Sequence, residues 1–116
     1  MSPDRSGPAG KEIMPKLELV TVYCERQQDI TGEDELRIRV NNAVVWSGAI
    51  DKAESKNLGP KYVNFNQTAD VEVDEMNGNK AKQIGDAVTI RSAKTATQQA
   101  TFKTSGAHYE LTYRVS

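Results

Sequence analysis

Apolar and polar residues alternate one by one along several short runs of this chain, and this period of two constrains its fold most. In residues 36–40, Leu, Ile and Val alternate with two arginines. Alternation of this kind places successive side chains on opposite faces of a β-strand, with one face buried. No segment of ten or more residues has the spacing of three and four that is typical of an amphipathic helix. The chain is therefore predicted to be all-β.

Turn-forming residues separate the runs, which suggests how the strands connect. Asn41-Asn42 predicts a tight hairpin, because asparagine tolerates a positive φ. Residues 47–60 are predicted to form a long polar connection with a short helical turn near residues 51–56. Eight short strands in one core of about 100 residues predict an antiparallel β-sandwich. The expected strands are residues 16–23, 35–40, 43–46, 62–65, 69–74, 87–90, 100–102 and 108–115.

Domain organisation follows from where apolar residues are missing. Residues 1–14 contain two Pro and two Gly and little that can be buried, so we expect a disordered tail or residues foreign to the native protein. Residues 15–116 are predicted to form one domain, the β-sandwich. The apolar runs are far shorter than the roughly 20 residues of a transmembrane helix. The N-terminal ten residues also lack the apolar stretch of a signal peptide.

Charge and cysteine content narrow the class of partner. Fifteen Lys and Arg face sixteen Asp and Glu, so no overall field favours nucleic acid. Arg37 and Arg39 are predicted to lie on an exposed strand face, which is either simply solvated or able to attract anionic lipid or an acidic protein. The single cysteine, Cys24, excludes an internal disulfide and is predicted to be buried. Trp46 is predicted to pack in or beside the core.

Two acidic segments lie where predicted strands begin or end. In one of them, Asp74 at a strand end is followed by Met76, by Lys82 and by the pair Ile84-Gly85. This spacing resembles the third loop of C2-like domains, which are calcium- and phospholipid-binding β-sandwiches and have aspartates at the positions of Asp74, Met76 and Lys82. Residues 29–36, with Asp-x-x-Gly before an acidic strand start, resemble the first loop of the same family.

The C2-like resemblance implies a calcium site with changed ligands. Calcium takes six to eight oxygen ligands, several of them carboxylates. The side chains that the resemblance offers are Asp29, Asp34 or Glu35, Asp74 and Asn77. Lys82, or Lys80 beside it, would bring an ammonium into the same group and is predicted to act as a counter-charge in place of the metal. The sequence thus leaves two alternatives, which are a weak calcium site and a site neutralised by lysine.

Catalysis is not predicted. His108 is the only histidine, and no nucleophile motif accompanies it. The predicted function is therefore a non-catalytic binding module with a C2-like sandwich, directed at a protein partner and independent of calcium or weakly dependent on it. The first alternative is a secreted or surface sandwich stabilised by calcium. The second is a small enzyme inhibitor or hydrolase.

Overall fold

Nine antiparallel β-strands make up the part of the chain that the computed structural model describes, residues 14–26 and 34–116. They are β1 (Lys16–Arg26), β2 (Asp34–Val40), β3 (Ala43–Ile50), β4 (Ser55–Asn64), β5 (Thr68–Asn77), β6 (Lys80–Gln83), β7 (Val88–Arg91), β8 (Gln98–Lys103) and β9 (His108–Val115). No helix in this part of the chain is long and apolar enough to cross a membrane. Residues 1–13 lie outside the described residues, so the predicted boundary between tail and domain stays a prediction.

The strands form two sheets packed face to face, as predicted for a sandwich. The four-stranded sheet has the order β4-β1-β9-β8, and the five-stranded sheet has the order β3-β2-β5-β6 with β7 also paired to β5. The end of β1, the start of β9 and the end of β5 lie at one end of the sandwich, which we call the upper end. There the hydroxyl of Tyr109 donates a hydrogen bond of 2.6 Å to Oε2 of Glu75, and this contact joins the two sheets.

The core lies between the sheets and follows the predicted alternation in most strands. In β2, the inward residues Leu36, Ile38 and Val40 are buried, as expected. Cys24 is buried, which was also predicted, and Trp46 packs against the edge of the core. The largest fully buried side chains come from both sheets and include Tyr109, Phe102, Leu17, Leu19, Leu36, Ile38, Ile50, Ile84 and Leu111.

β1 departs from strict alternation at Val20. Leu19 pairs with Tyr113 of β9, and Thr21 pairs with the adjacent Thr112, so that Val20 is an extra residue opposite the β9 strand. Such a β-bulge bends the strand and leaves one residue without a partner in the ladder. The pairing of β1 with β4 is interrupted at the same place.

This bulge reverses the side on which the following residues of β1 lie. Leu17 is buried before the bulge, and Val22 and Cys24 are buried after it. Uninterrupted alternation would place Thr21 and Tyr23 on the same face as Leu17 and Leu19, but Thr21 is half-buried and Tyr23 is exposed. The extra residue shifts the period of two by one position, so these two side chains point away from the core.

The connections between strands are shorter than the sequence predicted. β3 continues to Ile50 and β4 begins at Ser55, so most of segment 47–60 is strand and the expected helical turn is a short connection. Within residues 74–85, predicted to be a loop, β5 and β6 form a hairpin around Gly78 and Asn79. The described part of the chain therefore has nine strands where eight were predicted.

Residues with positive φ mark the tight turns. Asn41 and Asn42 have φ values of 50° and 70°, which confirms the predicted hairpin between β2 and β3. Ala53 has a φ of 65°, which is strained for a residue with a Cβ. The N–H of Ala53 donates to the carbonyl oxygen of Cys24 at 2.7 Å, and the N–H of Cys24 donates to the carbonyl of Glu54. These bonds to β1 hold the strained turn in place.

Candidate functional site

Asp74, near the end of β5, has a side chain that is only 1% exposed. Val73 before it faces the core, so Asp74 points to the outer face of the five-stranded sheet. A carboxylate on that face would normally reach water, but two arginines of the neighbouring strand β2 cover it. Arg37 lies directly opposite Asp74 in the β2–β5 ladder, and Arg39 lies one pair further along the same face.

Both oxygens of this carboxylate accept hydrogen bonds from the two guanidinium groups. Oδ2 of Asp74 accepts from Nε of Arg37 at 2.9 Å and from Nε of Arg39 at 2.7 Å, and Nη2 of Arg37 lies 2.8 Å from it. Oδ1 accepts from Nη2 of Arg39 at 3.0 Å. Each oxygen of an ionised carboxylate offers about two lone-pair positions, so the donors at Oδ2 saturate it. The two positive charges compensate the burial of the negative charge.

These contacts change the pKa values of both partners. Burial alone would raise the pKa of Asp74, but the hydrogen bonds from Arg39 and Arg37, together with their charges, outweigh it and hold the pKa below its ordinary value. The pKa of Arg39 is raised, chiefly by its hydrogen bond to Asp74. Asp74 is therefore a carboxylate at neutral pH, and the two arginines balance its negative charge.

Glu72 completes the group. Its Oε1 lies 3.1 Å from Nη1 of Arg39, so two arginines face two carboxylates and the four charges sum to zero. We refer to Arg37, Arg39, Glu72 and Asp74 as the Asp74 cluster. The sequence placed the two arginines on an exposed basic face, and the structure corrects this. They are half-buried, and acids of the same sheet balance their charges.

The two predicted lysine counter-charges lie elsewhere. In the β5–β6 ladder, Lys82 pairs with Glu75, whereas Asp74 pairs with Gln83. Side chains of successive residues point to opposite faces, so Lys82 lies on the other face of the sheet from Asp74. Lys80 lies two residues before Lys82, at the hairpin turn, and both lysines are exposed. Arginines, not lysines, are the partners that the structure gives to Asp74.

The other predicted ligands that the structure describes, Asp34, Glu35 and Asn77, lie at the upper end. Glu35 is exposed on β2 and pairs with Met76, so the start of β2 does lie beside the end of β5. Asp34 is the first residue of β2, and Asn77 is exposed at the end of β5. Asp29 falls in segment 27–33, outside the described residues. The metal-site prediction as a whole therefore stays a prediction.

Asp74 itself does not suit a calcium ion. A cation needs oxygen lone pairs directed at it, and those of Asp74 already accept from two guanidinium groups. Calcium at this carboxylate would have to displace both arginines and leave two partly buried positive charges beside a divalent cation. These arginine partners of Asp74 were not predicted, although the sequence carries a signal for them. Two arginines at i and i+2 of a strand lie on one face and can converge on an acid of the next strand.

The outer face of the four-stranded sheet has a different character. Tyr62 of β4 is 54% exposed, and Tyr23 of β1 is also exposed. Glu18, opposite Tyr62 in the β1–β4 ladder, is nearly buried and accepts from Nε of Arg114 at 2.6 Å and from Nη2 of the same residue at 3.1 Å. This hydrogen bond and the charge of Glu18 raise the pKa of Arg114. The face therefore offers two amphipathic tyrosines, and an ion pair lies beside one of them.

The described residues line at least two concave sites. One, of about 340 Å³, lies between the start of β1 and the β7–β8 connection, at the end of the sandwich away from the upper end, and it is lined by Met14, Pro15, Asn66, Ser92, Lys94 and Ser116. Another, of about 150 Å³, lies beside the bulge of β1. Neither of these two sites is lined by a histidine.

Comparison with known proteins supports the fold assignment. No family model matches the chain, and no curated protein matches its sequence. Among solved structures, one described as "Structure of a C2 domain" is similar over 90% of this chain and 99% of its own length, with a TM-score of 0.55 at 12% sequence identity. At this identity the similarity shows the fold, a C2-like β-sandwich, and it confirms the architecture that the two acidic segments suggested.

Proposed function

We propose that this protein is a non-catalytic, calcium-independent binding module that docks on another protein. One observation carries the proposal. The aspartate at the position of a C2-type calcium ligand, Asp74, is buried, and its oxygens are occupied by Arg37 and Arg39. The charge of Asp74 is thus neutralised by the chain's own side chains, and the stability of the Asp74 cluster does not depend on a bound ion.

The outer face of the four-stranded sheet is the proposed docking surface. Tyrosine is enriched at protein interfaces, because it offers a large apolar area, a polar tip and little rotamer entropy to lose. Tyr62 and Tyr23 are exposed on this face, and the charge of Glu18 beside Tyr62 is paired with that of Arg114. Because Glu18 balances its charge, Arg114 is not an unpaired cation that would attract an anionic lipid headgroup, and this favours a polypeptide surface as the partner.

A calcium titration tests the first half of the proposal. Backbone amide chemical shifts are recorded while calcium is added to the millimolar range, and thermal melts are run with calcium and with chelator. We expect no saturable shift at Asp74, Arg37 or Arg39 and a melting temperature that is unchanged within about 1 °C. Saturable shifts centred on Asp74, together with a rise of several degrees, would contradict calcium independence.

Site-specific photo-crosslinking tests the second half. A photoreactive amino acid replaces Tyr62 in one variant and Val44 in a matched control, since both positions are 54% exposed but lie on different sheets. We expect a discrete crosslinked polypeptide from position 62 and not from position 44. With that polypeptide purified, Tyr62→Ala should weaken binding by tenfold or more, roughly the effect of an interface hot spot. Equal crosslinking from both positions, or unchanged affinity, contradicts the proposed surface.

A further inference from the structure

A second group of ionisable side chains lies at the upper end of the four-stranded sheet, away from the Asp74 cluster. It consists of Glu25 near the end of β1 and of His108 and Glu110 at the start of β9. His108 and Glu110 are two residues apart in a strand, so they project from the same face. β1 has an irregularity between Cys24 and Arg26, and the residue within it, Glu25, projects towards the imidazole.

The spacing of the three side chains is close to that of ligands around a metal ion. Nε2 of His108 lies 3.0 Å from Oε2 of Glu110 and 3.5 Å from Oε1 of Glu25, and all three ligand atoms lie within 4.8 Å of one another. Two ligands about 2.0–2.1 Å from a tetrahedral zinc ion are about 3.3 Å apart. The distance from the imidazole to Glu110 is slightly shorter than this value, and the distance to Glu25 is slightly longer. Shifts of a few tenths of an ångström would bring both distances to it.

The charge and exposure of the group also suit a cation. Two carboxylates face one imidazole, which gives a net charge of −2 when the imidazole is neutral. Of the neighbouring cations, Arg26 directs its guanidinium to the carbonyl oxygen of Ser105 at 3.4 Å. Lys103, opposite His108 in the β8–β9 ladder, is exposed, and no ion pair in the described residues joins it to the group.

The group is open on one side. Glu25 is 58% exposed, whereas His108 and Glu110 are half-buried. Two ligands are thus held by the sheet, and the third can adjust its position. Water can reach the remaining coordination positions of an ion bound there, as in sites with three protein ligands.

We propose that Glu25, His108 and Glu110 form a binding site for a divalent transition-metal ion of the zinc type. Imidazole nitrogen with carboxylate oxygen is a ligand set that zinc prefers, whereas calcium is bound by oxygen ligands alone. The ion replaces the proton between the imidazole and the carboxylates and neutralises the group. This site uses none of the residues of the Asp74 cluster and does not depend on the proposed function.

Zinc titration of the protein without a histidine tag tests the proposal. Because His108 is the only histidine, its ring nitrogen signals are unambiguous, and their response to ZnCl2 reports ligation directly. Calorimetry measures the affinity of the wild type and of His108→Gln, Glu110→Gln and Glu25→Gln. Asp86→Asn removes an exposed carboxylate outside the group and serves as the matched control. Circular dichroism verifies that each variant is folded.

We expect one zinc per chain with a shift of the Nε2 signal. Affinity should fall by at least roughly tenfold in His108→Gln and Glu110→Gln, less in Glu25→Gln and not at all in Asp86→Asn. Millimolar calcium should not displace the zinc. The proposal is overturned if His108→Gln binds zinc as tightly as the wild type, or if the ring signals do not respond. Either result would leave these residues as an ordinary ion pair between a histidine and two glutamates.

Discussion

Replacing Asp74 with asparagine tests whether the Asp74 cluster stabilises the fold as its geometry indicates. Asparagine keeps the size of the side chain but removes its charge. Its amide group also directs two N–H donors at guanidinium groups that only donate. Four nitrogen–oxygen contacts of 3.0 Å or less join Asp74 to the two arginines. In the variant, the contacts to the oxygen that the amide nitrogen replaces are lost.

The magnitude follows from burial and from the partners that remain. Removing one member of a fully buried ion pair costs about 3–5 kcal/mol. Arg37 and Arg39 are 26% and 16% exposed, so water reaches them, and Glu72 still pairs with Arg39. We therefore expect Asp74→Asn to lower the free energy of unfolding by about 2–3 kcal/mol. In a domain of this size that corresponds to a melting temperature lower by roughly 10–20 °C.

Urea denaturation followed by the fluorescence of Trp46, the only tryptophan, measures this free energy. Glu72→Gln is the matched control. It removes a carboxylate from the same cluster but only one contact, of 3.1 Å, and should cost less than about 1 kcal/mol. If Asp74→Asn costs no more than Glu72→Gln, the arginine contacts do not stabilise the fold and the reasoning fails.

The same variant tests how the stabilisation by Asp74 depends on pH. Because the folded protein lowers the pKa of Asp74, the stabilisation is complete above the ordinary value of about 3.9 and is lost as the pH falls through the folded-state pKa. The difference between wild type and Asp74→Asn should therefore be constant from neutral pH to about pH 5 and shrink towards zero in stronger acid. A difference that grew on acidification would contradict the direction of the shift.

Two further substitutions test contacts at the upper end. Ala53→Gly should stabilise the protein by about 0.5–1 kcal/mol in thermal melts, since glycine relieves the strain at φ 65°, whereas Ala49→Gly within β3 should destabilise it by a similar amount. If Ala53→Gly does not stabilise the protein, the turn at residue 53 is not strained. Tyr109→Phe removes the hydrogen bond between the sheets to Glu75 and should cost about 1.5–3 kcal/mol, while Tyr113→Phe at the core edge should change stability by less than about 0.5 kcal/mol. Equal effects of the two tyrosine substitutions would show that the hydrogen bond between Tyr109 and Glu75 does not stabilise the fold.

The fold was largely predictable because most of these strands bury one face. In β2, β5 and β9, alternation alone identified the inward residues, and Leu36, Val71 and Leu111 are buried as that pattern requires. The prediction failed where this signal weakens. β6 has four exposed residues and therefore no alternation to detect, and β3 and β4 extend through polar residues at sheet edges.

The Asp74 cluster was not predictable to the same degree, because it depends on register. Arg37 and Asp74 are 37 positions apart in sequence and meet only through the pairing of β2 with β5. Lys82 is much closer along the chain, which made it the natural partner to propose. Alternation within the β5–β6 hairpin places it on the opposite face instead. Proximity in sequence and proximity across a sheet thus indicate different partners for Asp74.

The bulge at Val20 has a practical consequence for anyone who redesigns or compares this strand. A combinatorial library that randomises every second position from Leu17 onward would mutate interior sites in the first half of β1 and surface sites in the second. Superposing β1 on a regular strand likewise requires a one-residue gap, without which Val22 and Cys24 are matched to solvent positions. A deletion of Val20 should instead remove the bulge, because Leu19 and Thr21 would then pair as neighbours with Tyr113 and Thr112 in a regular ladder, with Val22 and Cys24 still facing the core.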